Sequence, residues 1–517
     1  MKGQTFSMGL MVVIVACVVL ASPVGWAQQP KPGGTLRVAY ESDITGLDPH
    51  ISFGIQAWHV VGSLFNSLVT IDAELNSVPD LAESWDVFED GKVYVFHLRK
   101  GVKFHDGTDF DAEAVRWNYQ RIVDPEEKAL DASYYNIVER VEAVDAHTVR
   151  FTLKHPSVTL IPVMAATPTG FLQISPAAYA KWGKEELRLH PVGTGAFRLA
   201  RWEQNRVIAF EKNLGYFKPG LPYLDRIELQ VVKDGITRVT ALRAGEVDFA
   251  NLVPREHLER LAREPQLQVF KGKETQRIAT FFNQRKVPFQ DGRVRRAVLG
   301  YGLDRLAIVK TALLGMAQPL WSFVPPGSRG QIDFGEQFPY DPDKAKALLK
   351  EAGYDEKNPL RFALMAHSAE VALPTIATVM KTQLAKIGVE ATVEILDRPV
   401  FLRRLTRDRD WDLVIANTSA AIDPHTISRA LDTRAGNNTT NHNDTRVDAL
   451  IDRMREAATD AEFVKAGQEF QRYVVENMIS TSVASFAFPQ AARSYVKGYE
   501  QLHGYKIRFE TTWLDKR

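Results

Sequence analysis

The chain has 517 residues, 45% hydrophobic and 25% charged, with 64 Lys+Arg against 63 Asp+Glu. That length exceeds a single hydrophobic core and predicts on the order of two to four domains, while the balanced charge excludes a net field that attracts nucleic acid or an anionic membrane. The one cysteine, Cys17, leaves the rest of the chain without a disulfide, a thiolate metal site or a cysteine nucleophile.

The first element is a leader. Residues 8–22, MGLMVVIVACVVLAS, are almost wholly apolar, Lys2 precedes them, and Gly25 and Ala27 are small residues around a cut. The pattern predicts a secretory signal peptide over 1–27, cleaved after Ala27; the run is short for a membrane anchor. IVAC (14–17) is similar to a bacterial lipobox, which would lipidate Cys17, but the following residues stay apolar where a lipoprotein carries a polar tether. The mature chain is expected to be soluble and periplasmic.

After the Pro/Gly entry QQPKPGG, TLRVAY (35–40) reads as a strand, and 56–71 carries the helix-spaced apolar residues Val60, Val61, Leu64, Phe65 and Leu68. Hairpins dominate from about 79 to 155. Asp90-Gly91 lies between two alternating runs, and VEAVDAHTVRFTL repeats the pattern around Asp145–His147. Between them Asp111 is a natural cap for a helix whose face holds Val115, Tyr119 and Ile122. Farther on, YDPDKAKALLKEAGY (340–354) has Asp341 as cap, Pro342 in the first turn and Gly353 as stop. Then follow the strand RFALMAH (361–367), a helix ending at Gly388, the strand VEATVEIL (389–396), the helix VFLRRLTR and the strand WDLVIA. Strands alternating with helices predict βαβ units on a mainly parallel sheet, with ligand beyond the carboxyl ends of the strands.

The sequence holds no His-Glu-x-x-His, no Gly-x-Ser-x-Gly elbow and no phosphate loop. VGTGAFR (192–198) has Arg198 where a dinucleotide fingerprint needs its third glycine, and reads as a turn into a strand. The stretch YVFHLRKGVKFHDGTDF (94–110) concentrates His97, His105, Asp106 and Asp109. Zinc needs three or four converging ligands, and no such set assembles. Tyr94, Phe96 and Leu98 alternate as in a strand, Asp106-Gly107 is a turn pair, and Asp109 and Asp111 stand where a helix begins. No cofactor and no metal are expected.

W…GKVYVFHLRKGVKFHDGTDFDAEAV (85–115) resembles the signature of family 5 extracellular solute-binding proteins, the peptide-, nickel- and opine-type receptors of ABC importers. GGTLRVA…LDP (33–49), PVGTGAFRL (191–199), ALRAGEVDF (241–249), FNQRKVPFQDGRVRRAV (282–298) and YDPDKAKALLKEAGY match in the same order, so the resemblance spans essentially the whole mature chain. It implies an α/β, two-lobed periplasmic binding protein fold with a hinge and an extra hairpin-rich subdomain. Lobe one would comprise 32–72, 192–280 and 490–517, the added subdomain 73–191, and lobe two 281–489. The crossings would lie near ATFFN (279–283) and SFAFPQ (485–490). The implied function is capture of a small or peptide-like solute by hinge closure and its delivery to an inner-membrane ABC permease, by a monomer that makes and breaks no bonds. A secreted hydrolase or a periplasmic sensor or chaperone are the alternatives.

In peptide-binding members an aspartate a few residues before an Asp-Pro pair holds the ligand's amine. Here the segment reads NTSAAIDPH: Asp423-Pro424 is present, but Asn417–Ile422 contains no carboxylate. This argues against an ordinary peptide with a free N-terminus unless Asp423 takes that role; the other reading of Asp423 is a helix cap. The remaining ligand candidates are Ser52 and Phe53 after LDPH, Asn283 at the expected crossing, Trp321, His367 at the end of FALMAH, Arg398 after VEILD, and Asn417 and Thr418. Phe53 and Trp321 would offer apolar walls. Arg398 would pair with a carboxylate or phosphate.

Overall fold

The computed structural model describes residues 29–516 apart from 53–54, 167–169, 271, 273–275, 369, 371, 419–421, 435–437 and 502–506. The leader, the lipobox cysteine and Phe53 lie outside the described residues.

Among the described residues, three sheets have four or more strands. In the seven-stranded sheet, Thr35–Tyr40 is central and runs parallel to both neighbours, Arg226–Val231 and Phe249–Ala250. Leu36, Val38 and Tyr40 are buried on one face and Ala39 on the other, as in a strand covered on both faces. The six-stranded sheet places Leu413–Thr418, Arg361–His367 and Glu390–Leu396 side by side and parallel. Its other half, Gln276–Phe282, Thr481–Phe486 and Gln318–Pro319, is antiparallel, so this sheet is mixed rather than mainly parallel. The four-stranded sheet is the hairpin region, strands 82–88, 93–98, 148–153 and 138–145, paired antiparallel throughout.

The local chemistry explains most boundaries. Asp111 accepts a hydrogen bond from the Ala114 N–H at 2.9 Å and starts the helix Ala112–Val123; Asp341 does the same for Pro342–Glu351 through Lys344. Asp90 adopts φ 53°, the left-handed turn that joins the first hairpin. The helix expected over 56–71 is shorter: it runs Ile55–Leu64, and Val69–Ile71 is a strand. Gly193 and Gly195 press on the backbone of Leu64, where an added Cβ would come within 2.3 Å, and the β-branched run after it pairs with Ser77–Pro79.

Among the described residues, consecutive strands change from one large sheet to the other twice. The strand Leu267–Phe270 belongs to the seven-stranded sheet and Gln276–Phe282 to the six-stranded one, so the first passage precedes Gln276 and not ATFFN. The second runs between Phe486 and Gln490. Among the described residues no helix is long and apolar enough to cross a membrane.

Candidate functional site: the cavity between the two large sheets

Parallel strands end at one edge of each sheet, and the two edges face each other. From the seven-stranded sheet, Thr35–Tyr40 leads into Glu41 and Ser42, Arg226–Val231 into Lys233 and Gly235, and Phe249–Ala250 into Leu252–Glu256. From the six-stranded sheet, Arg361–His367 leads to Glu370, and Glu390–Leu396 to Arg398 and Pro399. These residues enclose a cavity of about 840 Å³, with Pro489 of the second passage in its wall. Loops at the carboxyl ends of parallel strands are the usual place for a ligand in such sheets, and the volume suits a small organic molecule.

The cavity is charged on both sides. Arg255 and Glu370, from opposite walls, form an ion pair at 3.0 Å with both side chains largely buried, and the Arg255 guanidinium stands 4.5 Å from the centre of the Phe486 ring. Arg238 is 5% exposed and donates to the carbonyls of Asn251, Leu252, Val232 and Lys233, so its hydrogens are committed to backbone. Arg398 lines the cavity and makes no hydrogen bond or ion pair to any described residue. Burial lowers its pKa, and Glu41 across the cavity works in the opposite direction.

His367 closes its strand at 3% exposure, with Nε2 donating to Asn417 Oδ1 at 3.0 Å and the ring edge-on to Phe401. Burial, and then the nearby Arg398, hold its pKa below the ordinary imidazole value, so it is neutral and offers Nδ1 as an acceptor. Four polar atoms at these strand ends are buried without a hydrogen-bond partner among the described residues: Glu41 Oε1, Gln276 Nε2, His367 Nδ1 and Thr418 Oγ1. Buried polar atoms are normally paired; of these four, Glu41 lines the cavity, and Gln276, His367 and Thr418 stand at the strand ends of the six-stranded sheet.

Of the residues singled out from sequence, His367, Arg398, Asn417 and Thr418 come together at this edge. Asn283 does not. It follows Phe282, which pairs with Leu413 at the opposite end of the strand, and is tied to Arg409, Asp412 and Asn441 there. Trp321 is also displaced: its indole donates to the Phe338 carbonyl at 2.9 Å and it packs on the core of the six-stranded sheet, beside Arg305. Ser52 sits in a buried loop, with its N–H on the Asp48 carbonyl and its own carbonyl accepting from the Trp58 indole. Asp423 is 2% exposed and caps the short helix Pro424–Ser428 through the Thr426 N–H at 2.8 Å. Burial raises its pKa. Glu41, Arg255 and Glu370 were not anticipated. Glu41 was within reach of the carboxyl-end rule, because it follows TLRVAY directly.

In 94–110 the polar side chains are engaged separately. His97 meets Asp86 at 2.8 Å, His105 is held between the Gly193 N–H and the Gly195 carbonyl, Asp106 accepts from Ser175 and Thr108, and Asp109 pairs with Lys103. Among the described residues no group of three or more His, Cys, Asp or Glu side chains is placed to hold a metal ion.

Two α/β lobes with a charged cavity between parallel-strand ends, joined by two passages of chain, define a solute-binding protein. The profile of bacterial extracellular solute-binding proteins, family 5 Middle, matches residues 76–439. The glutathione-binding protein GsiB of Escherichia coli O1:K1 is 36% identical over 389 residues, which are 75% of this chain and 73% of GsiB. The periplasmic binding protein AgaA of A. tumefaciens R10, in complex with agropinic acid, superposes with a TM-score of 0.83 at 29% identity, over 94% of this chain and 99% of that one. DppA of Helicobacter pylori, in complex with the peptide STSA, gives 0.83 at 25% identity, over 94% and 99%. The chain belongs to the family 5 bacterial extracellular solute-binding proteins, and is the substrate-binding component of an ABC importer.

Proposed function

We propose that the cavity between the two large sheets takes a small organic solute with an anionic group, and that Arg398 holds that group. The observation that carries this reading is the position of Arg398. It is a guanidinium at the end of a parallel strand, lining the cavity, without a hydrogen-bonding partner among the described residues. A guanidinium binds carboxylate or phosphate with two parallel N–H groups, which gives orientation as well as energy. The named ligands of the relatives, glutathione, agropinic acid and the peptide STSA, all carry a carboxylate. His367 and Thr418, with unpaired acceptors at the same edge, would receive hydrogen bonds from the ligand.

The protein acts by binding and release, without turnover. Ligand contacts from both walls favour the closed arrangement, and the closed form is delivered to an inner-membrane permease. The protein works as a monomer in the periplasm, after removal of residues 1–27. The lobes follow the division given from sequence, with the first passage falling between the strands Leu267–Phe270 and Gln276–Phe282. The absence of a carboxylate in Asn417–Ile422, and the use of Asp423 as a cap, support a ligand anchored differently from an ordinary peptide.

The test is calorimetry on Arg398→Ala. Loss of a charge-assisted pair predicts binding weakened roughly tenfold to a hundredfold with little change in melting temperature of the unliganded protein. Unchanged affinity for a carboxylate ligand overturns the assignment.

A further inference from the structure

Glu41 is held in a way that its neighbours in the cavity are not. Its Oε2 accepts from Asn251 Nδ2 at 2.9 Å. Asn251 Oδ1 accepts from Gln490 Nε2 at 2.7 Å, and Gln490 Oε1 accepts from the Tyr499 hydroxyl at 2.8 Å. Asn251 and Gln490 are 0% and 2% exposed. Each amide therefore has one orientation that satisfies both of its contacts, and the relay runs donor to acceptor from Tyr499 to Glu41. It sets the carboxylate in place and leaves the second oxygen free. That oxygen, Oε1, is buried and has no hydrogen-bond partner among the described residues.

Glu41 acts on Arg238 and Arg398 as a charge at a distance, but neither takes up its free oxygen: Arg238 donates to four carbonyls and Arg398 to no described residue. The other acids that line the cavity differ: Glu370 is paired with Arg255, and Glu256 is exposed to solvent, so Glu41 alone of the three holds a buried carboxylate oxygen without a partner among the described residues.

We infer that Glu41 Oε1 receives a positively charged nitrogen of the ligand, opposite the anionic group at Arg398, so that the cavity selects zwitterionic amino-acid derivatives over carboxylic acids without a free amine. For the ligand's anionic end this rests on the Arg398 reading; the amine end stands on Glu41 alone. The site replaces the carboxylate that Asn417–Ile422 lacks with one from the opposite lobe. Closure then brings the two poles of the ligand against opposite walls.

The experiment is calorimetric titration of the protein with two probes, glutathione and the dipeptide Met-Leu, each as the free zwitterion, the N-acetyl form and the form with its carboxylates amidated. At least one free zwitterion is expected to bind tighter than its N-acetyl form by about tenfold or more, and the gap is expected to close in Glu41→Gln. Equal binding of free and N-acetyl forms, a gap that persists in Glu41→Gln, or binding by neither free zwitterion overturns the inference. Sensitivity to the amine without sensitivity to amidation fails Arg398 and leaves Glu41 standing; the reverse fails Glu41 alone. If Glu41→Gln does not fold, Glu41→Ala is titrated in its place with the same expected and overturning results, and equal binding of free and N-acetyl forms by the unmodified protein overturns the inference without any variant.

Discussion

His50 shows how this chain treats a histidine outside the cavity. It is 1% exposed, its Nε2 donates to the Leu172 carbonyl at 2.8 Å, and its Nδ1 accepts from Arg121, which also grips both oxygens of Asp48. Burial first, and Arg121 second, push its pKa from 6.5 down to about 4. The folded state thus prefers the neutral ring. The associated stability is present in full above pH 6.5 and is lost as pH falls from there toward 4, where the unfolded chain takes up a proton that the folded one refuses. Melting temperatures between pH 7 and pH 4 should fall steeply, with a contribution from His50 on the order of 3 kcal/mol. His50→Gln should be less stable at pH 7 but lose less across that window; an equal loss would remove His50 as a cause. Residue types were informative where geometry is local: the Asp111 and Asp341 caps follow directly from chain order. They were misleading where a side chain's edge of the sheet mattered. Asn283 and Trp321 have ligand-like chemistry, but Asn283 follows a strand that runs antiparallel to its neighbours, so its carboxyl end lies away from the cavity, and Trp321 packs on the core; a strand's direction within its sheet is not written in the strand itself.

At the scale of elements, the helix Ile55–Leu64 ends because another segment arrives, not because its own residues stop it. The Gly195 N–H donates to the Leu64 carbonyl at 2.9 Å, and a Cβ on Gly195 would stand 2.3 Å from the Leu64 carbonyl carbon and 2.5 Å from the Ser63 oxygen. Backbone cannot yield as a flexible side chain does. Gly195→Ala should therefore destabilise the protein by roughly 1–3 kcal/mol or more, seen as a lowered denaturation midpoint; a midpoint within error of the parent would show that the contact relaxes freely. Apolar periodicity through residue 71 extended the expected helix past this point, since periodicity carries no signal for a partner some 130 residues away in sequence. The same limit explains the sheet. Alternating strands and helices between 361 and 418 did mark its parallel half, while the antiparallel half is supplied by 276–282 and 481–486, whose adjacency is a matter of long-range pairing.

For the whole molecule, the Arg255–Glu370 pair fastens one wall of the cavity to the other, and contacts between the hairpin region and the 422–457 segment add to it: Tyr134 donates to the Thr426 carbonyl and the Val158 N–H to the Ala457 carbonyl. A largely buried pair that loses one partner leaves the other charge stranded. Glu370→Gln should raise the ligand dissociation rate by roughly tenfold or more and shift small-angle scattering of the unliganded protein toward a larger radius of gyration; an unchanged radius and rate would mean the pair does not hold the lobes together. The two-lobed plan and the family were legible in the order of motifs along the chain, whereas the cavity's charges come from loops far apart in sequence and were only partly so. The claim that the protein captures a charged small solute is met most directly by mass spectrometry of whatever is released when the protein, purified without ligand exchange, is denatured. A near-stoichiometric small molecule bearing a carboxylate and a free amine, sized for a cavity of about 840 Å³, is the expected result; a near-stoichiometric solute with no anionic group would contradict capture of a charged solute.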